Sequence, residues 1–332
     1  MLCTRWYCRV LHHKKIAWIP PVFCIVLFLV YLSFSMEYAN PLERIDTIDS
    51  QECMCGRCRS EKRKRTEFFD KHFNDSVQPL LLGKNQEIPD HVLDWWLRLQ
   101  GRNNASDFQQ VLEQLFKVVS TENLYQERDN RPCRRCAVVG NSGNLKGSRY
   151  GEKIDSHGLI FRMNGARTGN FEADVGSRTT HHFMYPESAV HLQPGVHLVL
   201  IAFKLQDLKW ITSALTTGEV THTYTRVKKF IQADKDKVLI FNPAFFKYVH
   251  DSWTKHHGKY PSTGMLALVF ALHICDEISV FGFGADLHGN WHHYWERNRF
   301  AGAFRWTGVH NAEYESELMN KLADEGRLTI YK

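Results

Sequence analysis

The chain has 332 residues, of which 43% are hydrophobic and 23% charged, and its formal net charge is +6. It contains no internal repeat and no low-complexity tract, which excludes a solenoid or a fibrous protein. About 280 residues follow the apolar N-terminal region, enough to bury one sizeable core. The positive charge fits an acidic substrate only weakly, because much of it lies near the N-terminus.

Residues 16–35 form an uncharged apolar segment, and roughly 20 such residues suffice to cross a bilayer. Four basic residues precede it and Glu37 follows it, so the positive-inside rule places residues 1–15 in the cytosol and the C-terminal bulk in the lumen. A cleaved signal peptide is the alternative. We favour a signal-anchor, because no small-x-small cleavage site follows and the apolar run is long for a signal peptide.

Residues 36–52 are polar and lack periodicity, which predicts a stem before a luminal domain at 53–332. The luminal domain contains two glycosylation sequons, at Asn74 and Asn104. The basic run at 61–65 is typical of nucleic-acid binding, but a solvated helix face is the better interpretation, because the lumen holds no nucleic acid.

Nine cysteines occur in the chain, three of them in the tail and the apolar segment. The remaining six allow about 15 disulfide connectivities, among which the sequence alone does not choose. Their CxCxxC and CxxC spacings are also compatible with a zinc site. We favour disulfides, because the lumen is oxidising. These six are Cys53, Cys55, Cys58, Cys133, Cys136 and Cys275.

Hydrophobic periodicity predicts an alternation of helices and short apolar strands in the luminal domain. Such alternation favours a doubly wound α/β domain with a mostly parallel central sheet. In chain order the predicted elements are helices at 91–100 and 108–119, strands at 137–139, 197–203 and 237–242, a helix at 262–275 that Ser262 can cap, and a strand at 277–282.

The first predicted strand leads directly into the turn Gly140-Asn141-Ser142-Gly143-Asn144. Small residues at a strand end let a ligand approach the backbone, and ligands of open α/β sheets bind at such ends. The turn lacks both the G-x-G dinucleotide fingerprint and the P-loop GK[ST], so by itself it leaves a phosphate site and a plain strand-to-helix turn equally open.

Four motifs in a fixed order resemble those of the animal-type sialyltransferases. They are the long segment from Cys133 to His182, the segment from Tyr260 to Asp286, HHYWE at 292–296, and HNAEYE at 310–315. The resemblance covers roughly Cys53 to the C-terminus and looks closest to the β-galactoside α2,3-sialyltransferases acting on Galβ1-3GalNAc. It implies a single GT-A-like domain and three disulfides, namely Cys53–Cys58, Cys55–Cys133 and Cys136–Cys275.

The resemblance also implies two catalytic histidines. His310 becomes the general base that takes the proton of the galactose 3-hydroxyl, a task suited to imidazole near neutral pH. His293 is placed at the CMP phosphate as hydrogen-bond donor or general acid. For Glu315 a supporting role and a solvated helix position stay equally open. From local sequence alone, His310 reads as a surface histidine near a helix start, and His181 and His182 read as structural.

Other site residues follow from motif position. Three residues at the start of the third predicted helix would offer N–H groups to an anion. The residues implied at the donor are Asn141, Ser142, Asn164, Tyr224, Ser262, Thr263, Gly264, Phe283 and Gly284, and those implied at the acceptor are Gln100 and Tyr260. Without the resemblance each would be an ordinary cap, turn or core residue.

The sequence predicts no metal and no cofactor for the transfer. Asp234-Lys235-Asp236 spells the D-x-D of metal-dependent transferases, but it precedes its strand and two lysines compete for its charge, so we interpret it as a solvated loop. Adjacent histidines in a strand point to opposite faces, which makes His292 and His293 poor joint ligands. CMP carries one phosphate, which backbone donors and a histidine can stabilise.

The predicted function is metal-independent, inverting transfer of sialic acid from CMP-sialic acid to the 3-hydroxyl of galactose in Galβ1-3GalNAc of glycoproteins or glycolipids. The protein would be a single-pass type II protein of the Golgi membrane. One alternative is a luminal glycan-binding protein without catalysis, and another is a sialyltransferase with a different galactoside acceptor. A third is a metal-dependent transferase using Asp234 and Asp236.

Overall fold

One sheet organises the part of the chain that the structure, a computed structural model, describes: residues 66–100, 106–120, 125, 133–285, 290–297 and 308–332. The predicted tail, anchor and stem lie outside these residues, as do Cys53, Cys55, Cys58 and Asn104. Within the described ranges, no helix is both long and apolar enough to cross a bilayer.

The sheet has the strand order β1-β6-β5-β4-β3-β2-β7-β8. All neighbouring pairs are parallel except β1 with β6, which is antiparallel at one edge. The strands are β1 Leu80–Leu81, β2 Arg135–Val139, β3 Leu159–Met163, β4 His181–Met184, β5 His197–Leu200, β6 Val238–Phe241, β7 Glu277–Phe281 and β8 Thr329–Tyr331. Strands β3 to β6 therefore follow one another on one side of β2, whereas β7 and β8 lie on its other side. The strand order reverses between β2 and β7.

Helices connect most of the strands. They are α1 Glu67–His72, α2 Asp90–Leu97, α3 Ser106–Leu115, α4 Gly151–Asp155, α5 Glu172–Val175, α6 Leu205–Ala214, α7 Pro243–Tyr248, α8 Thr263–Ile274 and α9 Ala312–Asp324. A π-helical turn, Val249–Trp253, continues α7. Helix α8 is buried along almost its whole length, which explains its lack of a polar face.

Both faces of the sheet are covered, and strand β2 shows how. Cys136 and Val138 point into the larger apolar cluster, in which α8 packs across β2, β3 and β4. Ala137 and Val139 point into a smaller cluster with residues of α4 and α5. Because alternate residues of a strand face opposite sides, a strand buried on both faces must be apolar throughout, as its sequence is. The fold is thus mixed α/β with a mostly parallel sheet.

A disulfide joins Cys136 in β2 to Cys275 at the end of α8, the pair implied by the resemblance. Both residues are buried. It links segments 139 residues apart and fastens the buried helix to the central strand. Cys133 is also disulfide-bonded, and Cys55, the partner implied for it, lies outside the described residues. Asn74, the sequon residue that the structure describes, is exposed.

The sequence located β2, β5, β6, β7 and α8 to within a few residues but did not identify β1, β3, β4 and β8. For β3 and β4 the reason is that both contain buried polar side chains. Arg162 is 1% exposed and donates to the carbonyls of Val175 and Arg178, while His181 and His182 are buried in β4. Hydrogen bonds made only in the folded chain compensate for this burial.

Candidate active site

A cavity of about 660 Å³ opens beside the carboxyl ends of β2 and β7, where the strand order reverses. This is the usual position of a ligand site in an open parallel sheet. The cavity brings together every catalytic, donor and acceptor residue predicted from the sequence. Its lining includes Gln100, Asn141, Ser142, Asn164, Tyr224, Tyr260, Ser262, Thr263, Gly264, Phe283, Gly284, His293 and His310. Their shared location is observed, whereas the role of each stays a prediction.

Glycines allow the ends of β2 and β7 to approach closely. A Cβ atom on Gly140 would lie 2.3 Å from the carbonyl oxygen of Gly282. Gly282 has a φ of +67°, a conformation that favours glycine. The amide of Gly140 donates to the Phe281 carbonyl at 2.7 Å, and that of Ser142 donates to the Gly282 carbonyl at 3.0 Å. We call the close-packed set Gly140, Gly264, Gly282 and Phe283 the glycine edge.

Two asparagines stand beside the glycine edge. Asn141 donates to the carbonyl of Met163 at 3.0 Å, while its buried Oδ1 has no hydrogen-bond partner. A buried acceptor of this kind indicates a ligand donor, such as a hydroxyl or an amine. Asn164 has a φ of +55°, and non-glycine residues in that region cluster at functional sites. Its carbonyl accepts from His182 at 2.6 Å, and burial lowers the pKa of His182 to about 4.

The beginning of α8 forms the next wall of the cavity. The Ser262 side chain accepts from the amide of Met265 at 3.1 Å and so caps the helix. Gly264 leaves space for Phe283, since a Cβ on this glycine would lie 2.8 Å from the ring. Free N–H groups and the helix dipole at this end suit a phosphate or a carboxylate.

Glu315 joins α9 to the start of α8. It accepts from the Ser262 amide at 2.8 Å and from the Ser262 hydroxyl. Burial raises the pKa of Glu315 to about 7, although both hydrogen bonds oppose that shift. The solvated helix position considered for Glu315 is therefore wrong, because the carboxyl is buried and holds two motif segments together.

His310 lies just before α9 on a segment that pairs with Gly258. A Cβ on Gly258 would lie 2.8 Å from the Val309 carbonyl, so this pairing requires glycine. The Nδ1 of His310 bonds to the Tyr260 carbonyl at 2.8 Å. Because a carbonyl only accepts, Nδ1 carries the proton and Nε2 carries the lone pair. Burial lowers the pKa of His310, which favours the neutral form of the ring.

His292 and His293 lie outside the named strands, on a segment in which His293 forms isolated β-bridges with Ser142 and Glu296. Both border the cavity. The Nδ1 of His293 bonds to Glu296 at 2.8 Å, and its ring stacks on Trp295 at a centroid distance of 4.5 Å. The His292 carbonyl accepts from the amide of Gly143 at 2.7 Å, which attaches this segment to the loop after β2.

A group of long polar side chains borders the cavity through Gln100, Glu187 and Tyr260. Lys204 has a 7% exposed side chain whose Nζ lies 2.8 Å from Asp207 and 3.4 Å from Glu187. It also donates to Gln100 Oε1 at 3.0 Å, and Gln100 Nε2 donates to the hydroxyl of Tyr260 at 3.1 Å. We call Gln100, Glu187, Lys204, Asp207 and Tyr260 the Lys204 network.

The pKa values of the two carboxyl groups in the Lys204 network are shifted in opposite directions. Burial raises the pKa of Asp207 to about 6, although Lys204 lies against it. For Glu187, burial also acts to raise the pKa, but hydrogen bonds from Thr223 and the Tyr224 amide, together with Lys204, outweigh it and lower the pKa. Glu187 thereby holds Tyr224 at the rim, where the tyrosine is 77% exposed.

Sequence reasoning missed Glu187 and Lys204, as well as much of the aromatic lining. The only local signal was the i, i+3 spacing of Lys204 and Asp207 at the start of α6, which many surface helices share. The aromatic residues that were missed are Tyr185, Phe203, Trp291 and Trp295. Asp234 and Asp236 are exposed in the turn before β6, and neither borders the cavity.

Comparisons with known proteins agree with this geometry. Residues 80–327 match glycosyltransferase family 29 (sialyltransferase). A mouse CMP-N-acetylneuraminate-beta-galactosamide-alpha-2,3-sialyltransferase 2 is 55% identical over 282 residues, 85% of this chain and 80% of the relative. A human CMP-N-acetylneuraminate-beta-galactosamide-alpha-2,3-sialyltransferase 1 is 48% identical over 298 residues, 90% of this chain and 87% of the relative.

Solved structures that resemble this chain are also sialyltransferases. The crystal structure of a mammalian sialyltransferase superposes with a TM-score of 0.78 at 48% identity, covering 85% of this chain and 99% of that one. A structure with the same values was determined in complex with Gal-beta-1-3GalNAc-ortho-nitrophenol. The family match spans well over half of the chain. This protein belongs to glycosyltransferase family 29, the sialyltransferases.

Proposed function

We propose that this protein transfers sialic acid from CMP-sialic acid to the 3-hydroxyl of the terminal galactose in Galβ1-3GalNAc. Relatives named as β-galactosamide α2,3-sialyltransferases, at 46–55% identity, support this donor and linkage. A similar structure in complex with a Galβ1-3GalNAc derivative supports the acceptor. The observation that carries the proposal is that His310 shares one cavity with the glycine edge and with Gln100, Glu187 and Tyr260 of the Lys204 network.

The geometry supports a single displacement. The CMP portion would lie along the glycine edge, with its phosphate near Ser142, His293 and the start of α8. The acceptor would lie against Gln100 and Tyr260. As the galactose oxygen forms its bond to the anomeric carbon of sialic acid, the bond to the phosphate oxygen breaks and CMP leaves. His310 Nε2 takes the hydroxyl proton, and inversion follows because the two oxygens lie on opposite faces of that carbon.

His293 would stabilise the departing phosphate. Its Nδ1 bond to Glu296 fixes the ring and leaves Nε2 on the other side of the imidazole, from which a protonated ring would donate to a phosphate oxygen. Charge stabilisation by a histidine and by backbone N–H groups gives the transfer a route that needs no metal. We therefore include metal independence in the proposal, together with the GT-A-like classification, the type II topology and the Golgi location.

Transfer assays on His310→Ala test the proposal directly. The protein would be given CMP-sialic acid with Galβ1-3GalNAc or Galβ1-4GlcNAc, in the presence of EDTA. We expect transfer to the first acceptor and a loss of roughly 10²–10⁴-fold in kcat for His310→Ala. His257→Ala is the matched control, since His257 stacks on Tyr314 and does not border the cavity.

Three outcomes would contradict parts of the proposal. A folded protein that binds CMP but transfers to no galactoside would support the glycan-binding alternative. Preference for Galβ1-4GlcNAc would indicate a different galactoside acceptor. Activity that disappears with EDTA and returns with a divalent ion would favour a metal-dependent transferase, to be examined at Asp234 and Asp236.

A further inference from the structure

A second cluster of reactive side chains lies outside the cavity. One ligand atom from each of His250, Asp251 and His256 lies within 4.8 Å of the other two. None of the three residues borders the cavity. In the part of the chain that the structure describes, this is the one group of three histidine, cysteine or acidic residues close enough to hold a metal ion.

Local backbone structure brings the three residues together. His250 and Asp251 belong to the π-helical turn after α7, and such turns occur frequently at functional sites. The chain then reverses through Lys255 and His256, whose φ angles are +46° and +62°. The amide of His256 donates to the His250 carbonyl at 3.0 Å. This return places the two imidazole rings perpendicular to each other, with centroids 4.8 Å apart.

Two atoms of the cluster are buried and have no hydrogen-bond partner. They are His250 Nδ1 and Asp251 Oδ1. His250 is only 5% exposed and its ring stacks on Trp95. Unpartnered buried polar atoms are rare and usually mark a missing water, ion or ligand. Here two of them lie on adjacent residues of one cluster, and the Nδ1 of His256 is 3.7 Å from the unpartnered Asp251 oxygen.

We propose that His250, Asp251 and His256 bind one divalent transition-metal ion of the Zn²⁺ type. Two imidazoles and one carboxylate are borderline ligands that suit zinc and disfavour magnesium and calcium, which prefer oxygen. The other Asp251 oxygen accepts from Lys247 at 2.5 Å, and ligating carboxylates are commonly fixed by such a bond. The His256 side chain is 66% exposed, so it can rotate onto the ion and gives it a route from solvent.

The ion would be structural, with water completing its coordination. It would fasten the turn after α7 to the segment that continues into Gly258 and Tyr260, and Gly258 pairs with His310. The inference does not depend on the proposed transfer. Zinc binding and sialyl transfer are measured in separate experiments, so a negative result in one does not change the conclusion drawn from the other.

Zinc titration of the full chain, purified in detergent without a polyhistidine tag and stripped with a chelator, tests the inference. At about 100-fold excess over the dissociation constant, Zn²⁺ should raise the unfolding temperature by roughly 5 °C. His256→Ala should lose this response and stay folded, because the His256 side chain is exposed. His257→Ala, the adjacent histidine outside the cluster, should keep it. Asp251→Asn should weaken zinc binding by about tenfold or more.

Cobalt provides an independent readout of the coordination. Co²⁺ added to the stripped protein should give the visible absorption of a four-coordinate site in the wild type and in His257→Ala, and this absorption should be absent in His256→Ala. Equal zinc and cobalt responses in the wild type and His256→Ala would overturn the inference, because other histidines of the chain would then account for them. Absence of a saturable zinc response in the wild type would overturn it as well.

Discussion

The two walls of the cavity are built in different ways. The glycine edge is made of glycine backbone packed against the Phe283 ring, and its shape depends on the absence of side chains at Gly140, Gly264 and Gly282. The Lys204 network is made of long polar side chains whose positions depend on one another through hydrogen bonds and charge. The start of α8, beside the glycine edge, offers N–H groups to an anion, whereas the Lys204 network offers the Gln100 amide and the Tyr260 hydroxyl to a sugar.

The difference indicates how each wall tolerates change. Backbone atoms held in the carboxyl ends of a sheet cannot move aside, so a single added methyl group should disrupt the glycine edge. Side chains can rotate and carboxylates can take up protons, so damage to the Lys204 network should be graded. The following changes test this contrast, beginning with the largest expected effect.

Gly140→Ala should be the most damaging change. The new Cβ would lie 2.3 Å from the carbonyl oxygen of Gly282 and 2.9 Å from Phe283. Because the first of these atoms is backbone directly after the neighbouring strand β7, relief requires the ends of β2 and β7 to separate. We expect a loss of about 4 kcal/mol in the free energy of unfolding, above the usual range for overpacking. Denaturant unfolding and CMP binding would measure the effect.

Gly165→Ala is the matched control for that change. Gly165 borders the same cavity, and its Cβ would make an ordinary contact of 3.8 Å with Trp295. Its stability should change by less than about 1 kcal/mol. Equal losses in the two variants would mean that the close approach of Gly140 to Gly282 is not what the glycine edge requires.

Lys204→Met should have the next largest effect. It removes the cation beside Asp207, whose carboxyl is fully buried, and leaves Glu187 and Gln100 without their shared donor. Breaking a buried ion pair costs about 3 kcal/mol or more, and we expect the lower end because Asp207 can take up a proton. The KM for the acceptor should rise more than kcat falls.

Lys209→Met controls for the loss of a lysine from the same helix. Lys209 is exposed on α6, so its removal should leave stability and the acceptor KM nearly unchanged. If Lys204→Met changes kcat alone and leaves the acceptor KM at the wild-type value, the Lys204 network does not position the acceptor.

Glu315→Gln tests the buried carboxyl that adjoins the glycine edge. Because folding raises the pKa of Glu315 from 4.5 to about 7, the folded state binds more protons between these values. Its contribution to stability is therefore complete below pH 4.5 and is lost as the pH rises to about 7. Glutamine can still accept from Ser262 but does not titrate.

The stability difference between Glu315→Gln and wild type should thus shift in favour of the variant by about 3 kcal/mol between pH 4.5 and pH 7.5. Denaturant unfolding at several pH values would measure it, and the comparison cancels other groups that titrate in both proteins. Parallel pH profiles would show that Glu315 titrates as it does in the unfolded chain.

Tyr260→Phe should have the smallest effect. It removes the hydroxyl that accepts from Gln100 but keeps the ring and the carbonyl that holds His310. The loss of one hydrogen bond costs about 1 kcal/mol, which is about a fivefold rise in the acceptor KM. The pH dependence of kcat should stay unchanged. A shift in that dependence would mean that the hydroxyl acts on His310 directly.

Sequence patterns were sufficient where one local rule decided the structure. The apolar run before Gly140 predicted a buried strand, and Ser262 predicted the start of α8, which the structure has at Thr263. Patterns failed at β3 and β4, because Arg162 and His182 are buried among partners that are distant in sequence. Periodicity cannot distinguish such a polar residue from an exposed one.

The sequence by itself determined the class of fold, the family motifs and the identity of many of the residues around the cavity, because each depends on local pattern or motif order. Only the tertiary structure decided that Glu315 is buried against Ser262, and that Lys204 joins Gln100 to Glu187. It likewise brought His250, Asp251 and His256 together. These contacts join separate elements or require an unusual turn of the chain, and their energies depend on burial, which the packed fold alone establishes.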